Sequence, residues 1–140
     1  MPSEYVIDES IGLVFSKGLG VFTHHDFIMH MTMLGQDARF KPEFNQIVDC
    51  RSISEMELNA EQIKDLVGRT IFSPLSRRAF LGSSDLQYGM SRMFAAYQEI
   101  NGKQNIIVSR DMGEALAWLN LPGDYDPYKN GAFNPPTSVS

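Results

Sequence analysis

The hydrophobic pattern of the chain predicts short strands that alternate with amphipathic helices. Two apolar stretches near the start are separated by three polar residues, which predicts a β-hairpin. Three further apolar runs are short enough for buried strands, and each precedes a segment with helical spacing. The five predicted strands are Tyr5 to Ile7, Ile11 to Phe15, a strand at Ile47 and Val48 that ends on Cys50 and Arg51, Arg78 to Leu81, and Asn105 to Ser109.

Capping residues mark the predicted helix starts. Thr23 with Asp26, and Asn59 with Gln62, have the spacing of capping boxes. Two further helices are predicted to begin at the caps Ser84 and Asp111, and we expect Gly35 to end the first helix and Pro74 the second. The residues expected to face the core are, in chain order, Phe27, Ile28, Met31 and Leu34; Ile63, Leu66, Val67, Thr70 and Ile71; Leu86, Met90, Met93, Phe94 and Tyr97; and Ala115, Leu116 and Leu119.

The predicted element order is β-β-α-β-α-β-α-β-α, an α/β class. Strands that alternate with helices form right-handed crossovers, so we expect a mainly parallel five-stranded sheet with an antiparallel first strand. One domain is predicted over residues 1–121. Residues 122–140 hold four of the seven prolines without hydrophobic periodicity, and this segment is predicted to be a tail.

Composition and charge narrow the class of protein. The 140 residues are 43% hydrophobic and 21% charged, which is typical of one globular domain. Seventeen acidic and twelve basic residues give a net charge of −5, which argues against nucleic-acid binding. No apolar run approaches about 20 residues and the first residues do not resemble a signal peptide, so we expect a cytoplasmic protein without integral membrane association.

The carboxyl ends of the predicted parallel strands carry the candidate anion site. Arg51 and Arg110 follow two of these strands, and Ser83 and Ser84 follow the strand between them. Ligands of open α/β sheets bind at this edge, where helix N-termini favour phosphate or carboxylate groups. In the alternative interpretation, Arg51 pairs with Asp49 and Arg110 with Asp111 or Glu114.

Other polar residues give weaker indications. Arg77 and Arg78 begin a strand at the opposite edge, where we expect a salt bridge and a partner contact in preference to direct ligand binding, because this edge is the stability side of such sheets. His24, His25 and His30 do not form a ligand set for a metal, and the sequence has no recognised catalytic or phosphate-binding motif. Cys50 follows an apolar strand and is expected to be an inert buried thiol. We therefore expect no metal, no cofactor and no enzymatic activity.

Three apolar residues are candidates for a partner surface. Met29 and Met33 lie four residues apart, outside the predicted core stripe of the first helix, and Trp118 lies outside that of the last helix. Exposed methionines form adaptable contact surfaces. The alternative is that the core stripe of the first helix is wider than predicted.

Several segments carry a resemblance to a known family. The segments VDCRS, SPLSRRAF, YGMSRMF and IIVSRDMGEALAWL resemble a group of small uncharacterised bacterial SpoIIAA-like proteins, related to the STAS domains. The resemblance spans about the first 121 residues and implies a STAS-type fold. In STAS antagonists a phosphorylatable serine heads the helix after the third strand. Here that junction reads DCRSISEMELNAEQI, so Ser52 and Ser54 are the candidates, and the glycine of that motif is absent.

Two functions follow as hypotheses. The leading one is a non-enzymatic regulatory or protein-interaction module that forms a homodimer and contacts a protein partner through the first helix. The alternative is a small-ligand carrier, because lipid-carrying relatives of the resembled fold hold an apolar molecule between the sheet and a helix. Such a carrier would bind a lipid or acidic amphiphile with its acidic group at Arg51 or Arg110.

Overall fold

The computed structural model describes residues 3–100 and 105–128. These ranges contain seven strands and four helices. In chain order they are β1 (Ser3–Asp8), β2 (Leu13–Gly18), β3 (Gly20–Thr23), α1 (His24–Gln36), β4 (Asn45–Asp49), β5 (Ile53–Glu57), α2 (Ala60–Gly68), β6 (Arg78–Leu81), α3 (Asp85–Ile100), β7 (Ile106–Ser109) and α4 (Met112–Trp118).

Five strands form one mixed sheet in the order β1-β2-β4-β6-β7. β1 is antiparallel to β2, and the pairs β2 with β4, β4 with β6 and β6 with β7 are parallel. The mainly parallel five-stranded sheet and the four helices agree with the prediction. The predicted element order is wrong, because two further strands lie outside this sheet.

These two strands, β3 and β5, form a small parallel ladder of their own. The sequence pattern did not reveal them, because both are short and neither alternates cleanly between apolar and polar residues. Gly20 begins β3 with a φ of +64°, in the left-handed region that glycine adopts without strain. The segment around Gly18 and Gly20 is therefore a turn between two strands that belong to different sheets.

The capping residues set the helix starts as predicted, but two helix ends differ, that of α2 the more. Capping boxes are present at Thr23 with Asp26 and at Asn59 with Gln62. α1 extends one residue past Gly35, to Gln36. α2 ends at Gly68, well before Pro74, so Thr70 and Ile71 lie outside the helix. The helix stops where the Arg69 N–H bonds back to the carbonyls of Leu66 and Val67, without any contribution from proline.

The inward face of α3 differs most from the prediction. Leu86 and Met93, expected in the core, are 52% and 38% exposed. Gln87, Ser91 and Gln98 are buried in their place. Gln87 is satisfied inside because its Nε2 donates to the Ile53 carbonyl and its Oε1 accepts from the backbone at the start of the helix. A periodicity argument that counts apolar residues cannot recognise such a polar inward face.

The two faces of the five-stranded sheet carry different layers. α4 packs on one face, where Leu13, Phe15, Ile47, Ala79 and Leu81 form a closed apolar cluster with it. α1 and α3 pack on the other face, α2 lies between them, and this side carries two smaller apolar clusters. No helix in the described ranges has the length and apolar character needed to cross a membrane.

The first part of the predicted tail packs against the domain. Pro127 is fully buried, and the Tyr125 hydroxyl donates to Asp8 at 2.9 Å. The ring of Tyr128 meets Phe15 edge-on, with ring centroids 5.0 Å apart. Residues 122–128 therefore extend the α4 side of the core, and residues 129–140 lie outside the described residues.

Candidate functional site

Arg51, a candidate anion-binding residue, is held by a carboxylate at the end of its own strand. Its Nε and Nη2 atoms donate to the two oxygens of Asp49, both at 3.0 Å, and the Tyr128 hydroxyl donates to the same carboxylate at 2.6 Å. Burial raises the pKa of the Asp49 carboxyl, but the hydrogen bonds from Arg51 and Tyr128 outweigh it, so the pKa lies below its usual value. The alternative interpretation, in which Arg51 pairs with Asp49, therefore holds for Arg51.

Ser83 and Ser84 form the N-terminal cap of α3. The Ser84 hydroxyl accepts from the Gln87 N–H at 3.1 Å. The Gln87 Oε1 atom accepts from the backbone N–H of Ser83 at 2.8 Å and of Ser84 at 3.1 Å. The backbone donors that a ligand anion would use at this helix start are therefore already bonded to a side chain of the helix.

Arg110 is also engaged by the protein, although with a different partner from the one expected. Its Nη2 donates to Asp85 at 2.7 Å and its Nη1 to the Ser83 carbonyl at 3.2 Å. The expected pairing with Asp111 or Glu114 is wrong, because Asp111 caps α4 and Glu114 accepts from the Ser109 hydroxyl. The structure thus brings Arg110 next to Ser83, and the Asp85 carboxylate occupies the position at Arg110 that a ligand anion would take.

The other sequence candidates are spread over the surface. Ser52 lies in an exposed turn and Ser54 in β5, and neither heads a helix, since α2 begins at Ala60. Met29 and Met33 are 43% and 44% exposed on α1. Phosphorylation of Ser52 or Ser54 and partner binding by Met29 and Met33 stay predictions.

Trp118 is placed differently from Met29 and Met33. It is partly buried against the apolar cluster beneath α4. Arg77 lies 4.8 Å above its ring, and the Arg77 Nη1 donates to the Trp118 carbonyl at 2.8 Å. The salt bridge expected at Arg77 is therefore wrong, and Trp118 is largely occupied by contacts within the chain.

The histidines and the cysteine do not form a metal site. Within residues 3–100 and 105–128, no group of three or more histidine, cysteine, aspartate and glutamate residues is placed to hold a metal ion. His24 bonds to Asp65 at 2.7 Å. Cys50 is buried, and burial raises the pKa of its thiol to about 12, which agrees with the expected inert thiol.

A row of polar side chains crosses the sheet on the face that packs against α1 to α3. Gln46 of β4 and Arg78 of β6 are direct neighbours in the parallel register. The Arg78 Nε donates to Gln46 Oε1 at 3.0 Å, and the Gln46 Nε2 donates to the Ser16 hydroxyl of β2 at 3.0 Å. All three residues are buried. Polar groups in a sheet interior are costly unless bonded, so such a row indicates a specific role.

Arg78 is a buried cation without a carboxylate partner. It is 9% exposed, and the one hydrogen bond of its side chain within the described residues goes to a neutral amide. Its guanidinium lies 4.7, 5.3 and 5.6 Å from the ring centroids of Phe72, Phe80 and Phe94. Burial lowers the pKa of Arg78 to about 10. Buried charges in proteins are normally paired, so this guanidinium is short of an anion.

Arg78 lines a mainly apolar cavity between the sheet and the three helices, hereafter the interior cavity. Its walls include Phe22, Phe27, Val48 and Phe94. The cavity has a volume of about 50 Å³. At roughly 10 to 15 Å³ for each water molecule, this is space for about four waters or a few non-hydrogen atoms of a ligand.

Arg78 also borders a second, smaller cavity of about 20 Å³ with more polar walls. Gln98 lines the same space, is 1% exposed, and has an Nε2 atom with no hydrogen-bond partner within the described residues. A guanidinium and an amide therefore border one cavity, and the amide donor of Gln98 lacks an acceptor within the described residues. A carboxylate oxygen is an acceptor that suits both.

His30 of α1 completes the polar row. Its Nε2 lies 2.8 Å from the Ser16 hydroxyl and its Nδ1 lies 3.1 Å from that of Ser3. A serine beside a histidine suggests nucleophilic catalysis, but burial lowers the pKa of His30 to about 4, and its second partner is a hydroxyl in place of a carboxylate. A neutral imidazole with so low a pKa is a weak general base, so the row favours binding over reaction.

Sequence reasoning missed Arg78 because it placed the ligand edge at the strand carboxyl ends. Arg78 is the first residue of β6, at the opposite end, and the salt bridge expected there is wrong. A usable signal is present in the strands themselves. Ser16 directly follows one short apolar run, Gln46 directly precedes another and Arg78 begins a third. Polar residues at the ends of three neighbouring buried strands are a signal for a polar row.

Comparison with solved structures identifies the fold. The chain is similar to the crystal structure of an uncharacterized protein from the DUF3478 family with a SpoIIAA-like fold, from Shewanella loihica PV-4. The match covers 84% of this chain and 93% of that one, with a TM-score of 0.58 and 21% sequence identity. The chain has a SpoIIAA-like fold. No family model matches the sequence, and no curated protein shows significant similarity to it. The SpoIIAA-like fold agrees with the resemblance found in the sequence segments.

Proposed function

We propose that this protein is a binding module that holds a small organic acid in the interior cavity, with the carboxylate on Arg78. The observation that carries the proposal is the burial of Arg78 without a carboxylate in the described residues. Of the two functions that the sequence suggested, the geometry favours the small-ligand hypothesis, with the acidic group at the amino-terminal end of β6 in place of the strand carboxyl ends.

The charge of the cavity supports a ligand with one negative charge. Arg78 supplies one positive charge, and His30 is neutral at physiological pH because its pKa is lowered to about 4. Lys17 also lines the interior cavity, but its ammonium lies 5.0 Å from the Tyr128 ring centroid, on the α4 side of the sheet, away from the polar row. A monocarboxylate balances this charge, whereas a phosphate dianion would leave a second charge buried without a partner.

The size and walls of the cavity support a short apolar chain. A volume of about 50 Å³ is well below that of a cavity that holds benzene, about 150 Å³. The aromatic walls exclude water from the chain of the ligand. Butyrate, with a carboxylate and three carbons, represents this class.

The test measures the thermal stability of the wild-type chain, Arg78→Met and Arg77→Met with increasing butyrate, and with 1-butanol and butylammonium as matched compounds. Arg77→Met is the control because Arg77 is the adjacent arginine, packs on Trp118 and does not line the interior cavity. At about ten times the dissociation constant, we expect butyrate to stabilise the wild type and Arg77→Met by about 1.4 kcal/mol.

We expect no stabilisation of Arg78→Met by butyrate, and none of any variant by butylammonium. Chemical shifts of the backbone amides around Gln46 and Val48 should change with butyrate in the wild type. Equal stabilisation of Arg78→Met and the wild type, or no stabilisation by any acid from acetate to octanoate, would falsify the proposal.

A further inference from the structure

Helix α3 presents an apolar stripe to solvent. The stripe consists of Leu86, Gly89, Met93, Ala96 and Ile100, hereafter the α3 seam, and all five residues are exposed. Their spacing alternates between three and four residues, which is the spacing of the contact positions of a coiled coil. Leu86, Met93 and Ile100 are 52%, 38% and 77% exposed, so the three large apolar side chains of the seam are accessible to solvent.

The orientation of α3 explains why the seam is exposed. The opposite side of the helix carries Gln87, Ser91 and Gln98, which are buried towards the sheet and the cavities. The inward side of the helix therefore combines these polar residues with Met90 and Phe94. The seam on the outer side has no neighbour among the described residues. A face with that spacing fits another helix better than it fits an irregular loop.

We infer that the α3 seam binds the α3 seam of a second copy of this chain, with the two helices antiparallel. In the register that places Met93 opposite Ala96 of the second copy, Gly89 lies opposite Ile100. Met93 and Ile100 then each face a small residue, in both directions across the two-fold axis. Large side chains that face small ones allow two helices to approach closely and fill the space between them.

The charges that flank the seam select the same register. Arg92 and Glu99 lie on one side of the seam, seven residues apart, and neither forms an ion pair within the described part of the chain. In the antiparallel register, Arg92 of each copy lies beside Glu99 of the other, which gives two symmetric ion pairs.

A parallel pair of helices lacks this complementarity. It would place identical seam residues opposite one another, so that glycine faces glycine and leaves a gap, and it would bring Arg92 against Tyr97 with no carboxylate. Because the antiparallel pair uses one helix of 16 residues from each copy, about 24 Å long, the interface is small. We therefore expect a reversible dimer with a dissociation constant of about 1 to 100 μM.

The first experiment is sedimentation equilibrium of the full chain over roughly 1 to 100 μM. Met93→Glu should reduce the dimer affinity at least about tenfold, because it places a carboxylate in the seam. Met29→Glu is the matched control, since Met29 has a similar exposure, 43%, on a different helix. The wild type and Met29→Glu should dimerise alike. A monomer at all concentrations, or a dimer that Met29→Glu dissociates and Met93→Glu does not, overturns the inference.

A charge exchange tests the antiparallel register. Arg92→Glu alone and Glu99→Arg alone each place like charges together at both symmetric positions, so each should weaken the dimer about tenfold. The double variant R92E/E99R should recover the wild-type affinity. A mixture of the two single variants should form heterodimers of wild-type affinity, because opposite charges then meet at both positions. Failure of the double variant and of the mixture to recover affinity contradicts this register, and circular dichroism checks that each variant folds.

Discussion

The two faces of the central sheet differ in the polarity and the packing of their side chains. Towards α4, the strands carry Leu13, Phe15, Ile47, Ala79 and Leu81, each at most 2% exposed, in one closed apolar cluster. Towards α1 to α3, the same strands carry Ser16, Gln46 and Arg78, which border a cavity. The α4 face has a closed apolar cluster, and its buried carboxylate, Asp49, is paired with Arg51 and Tyr128. The other face keeps a buried guanidinium without a carboxylate partner in the described residues, beside empty space.

This difference supports the proposal that the α4 layer supplies stability and the cavity layer binds the ligand. Apolar contacts in a closed cluster each contribute to folding, whereas buried polar groups and cavities reduce stability. Proteins commonly retain such destabilising groups at binding sites. The apolar cluster on the α4 face offsets the lost stability. Residues 119–128 strengthen the α4 layer, because Tyr125 and Tyr128 close over that face.

The largest predicted effect compares one phenylalanine from each face. Phe15→Ala should lower the free energy of unfolding by about 4 kcal/mol, since Phe15 is 1% exposed and packed on all sides. Phe80→Ala should cost about 2 kcal/mol, because Phe80 already borders the interior cavity. Urea denaturation measures both. Equal losses would mean that the two faces are packed alike, which contradicts the comparison.

The α4 face is the part of the molecule that the sequence predicts well. Its apolar strand residues and the inward residues Ala115, Leu116 and Leu119 follow simple periodicity, and the structure buries all of them. The capping boxes at Thr23 and Asn59 were also predictable, because they depend on residues three positions apart. Local rules succeed where burial is apolar and partners are near in sequence.

The cavity face could not be predicted in the same way. The inward Gln87 and Gln98 of α3 contradict the rule that helices bury their apolar stripe. Arg78 interacts with Gln46, which lies 32 residues away and becomes a neighbour only through the parallel register of β4 and β6. The partners of polar groups on this face are set by tertiary structure, which a single sequence pattern does not contain.

The next effect concerns the pH dependence of the cavity face. The unfolded chain binds a proton at His30 as the pH falls through about 6.5, whereas burial lowers the pKa in the folded state to about 4. Stability from the neutral imidazole is therefore complete above about pH 6.5 and decreases, by up to about 3 kcal/mol, as the pH falls to about 4. The nearest charged group in the row is the Arg78 guanidinium, two hydrogen-bonded residues away, which also disfavours a protonated His30.

The His30→Gln variant lacks the pH-dependent stability that comes from the neutral imidazole. Its free energy of unfolding should therefore fall less steeply than that of the wild type between pH 6.5 and 4. His25→Gln is the control, because His25 is exposed on the same helix and should keep the wild-type slope. Urea midpoints at several pH values measure the difference. The same slope for His30→Gln and the wild type would show that the imidazole is protonated in the folded state and that this face is wetter than its contacts indicate.

The smallest effect has an unusual sign. The pKa of Arg78, lowered to about 10, corresponds to a cost of about 3 kcal/mol for keeping the guanidinium charged in the folded chain. Arg78→Met removes this cost and fills a similar volume, but it loses the bond to Gln46 and the contacts with three aromatic rings, about 2 kcal/mol together. We therefore expect Arg78→Met to be more stable than the wild type by about 1 kcal/mol in urea denaturation, while Arg77→Met is slightly less stable. A clear loss of stability in Arg78→Met would mean that the protein already compensates the charge, and the reason for an acidic ligand on the cavity face would disappear.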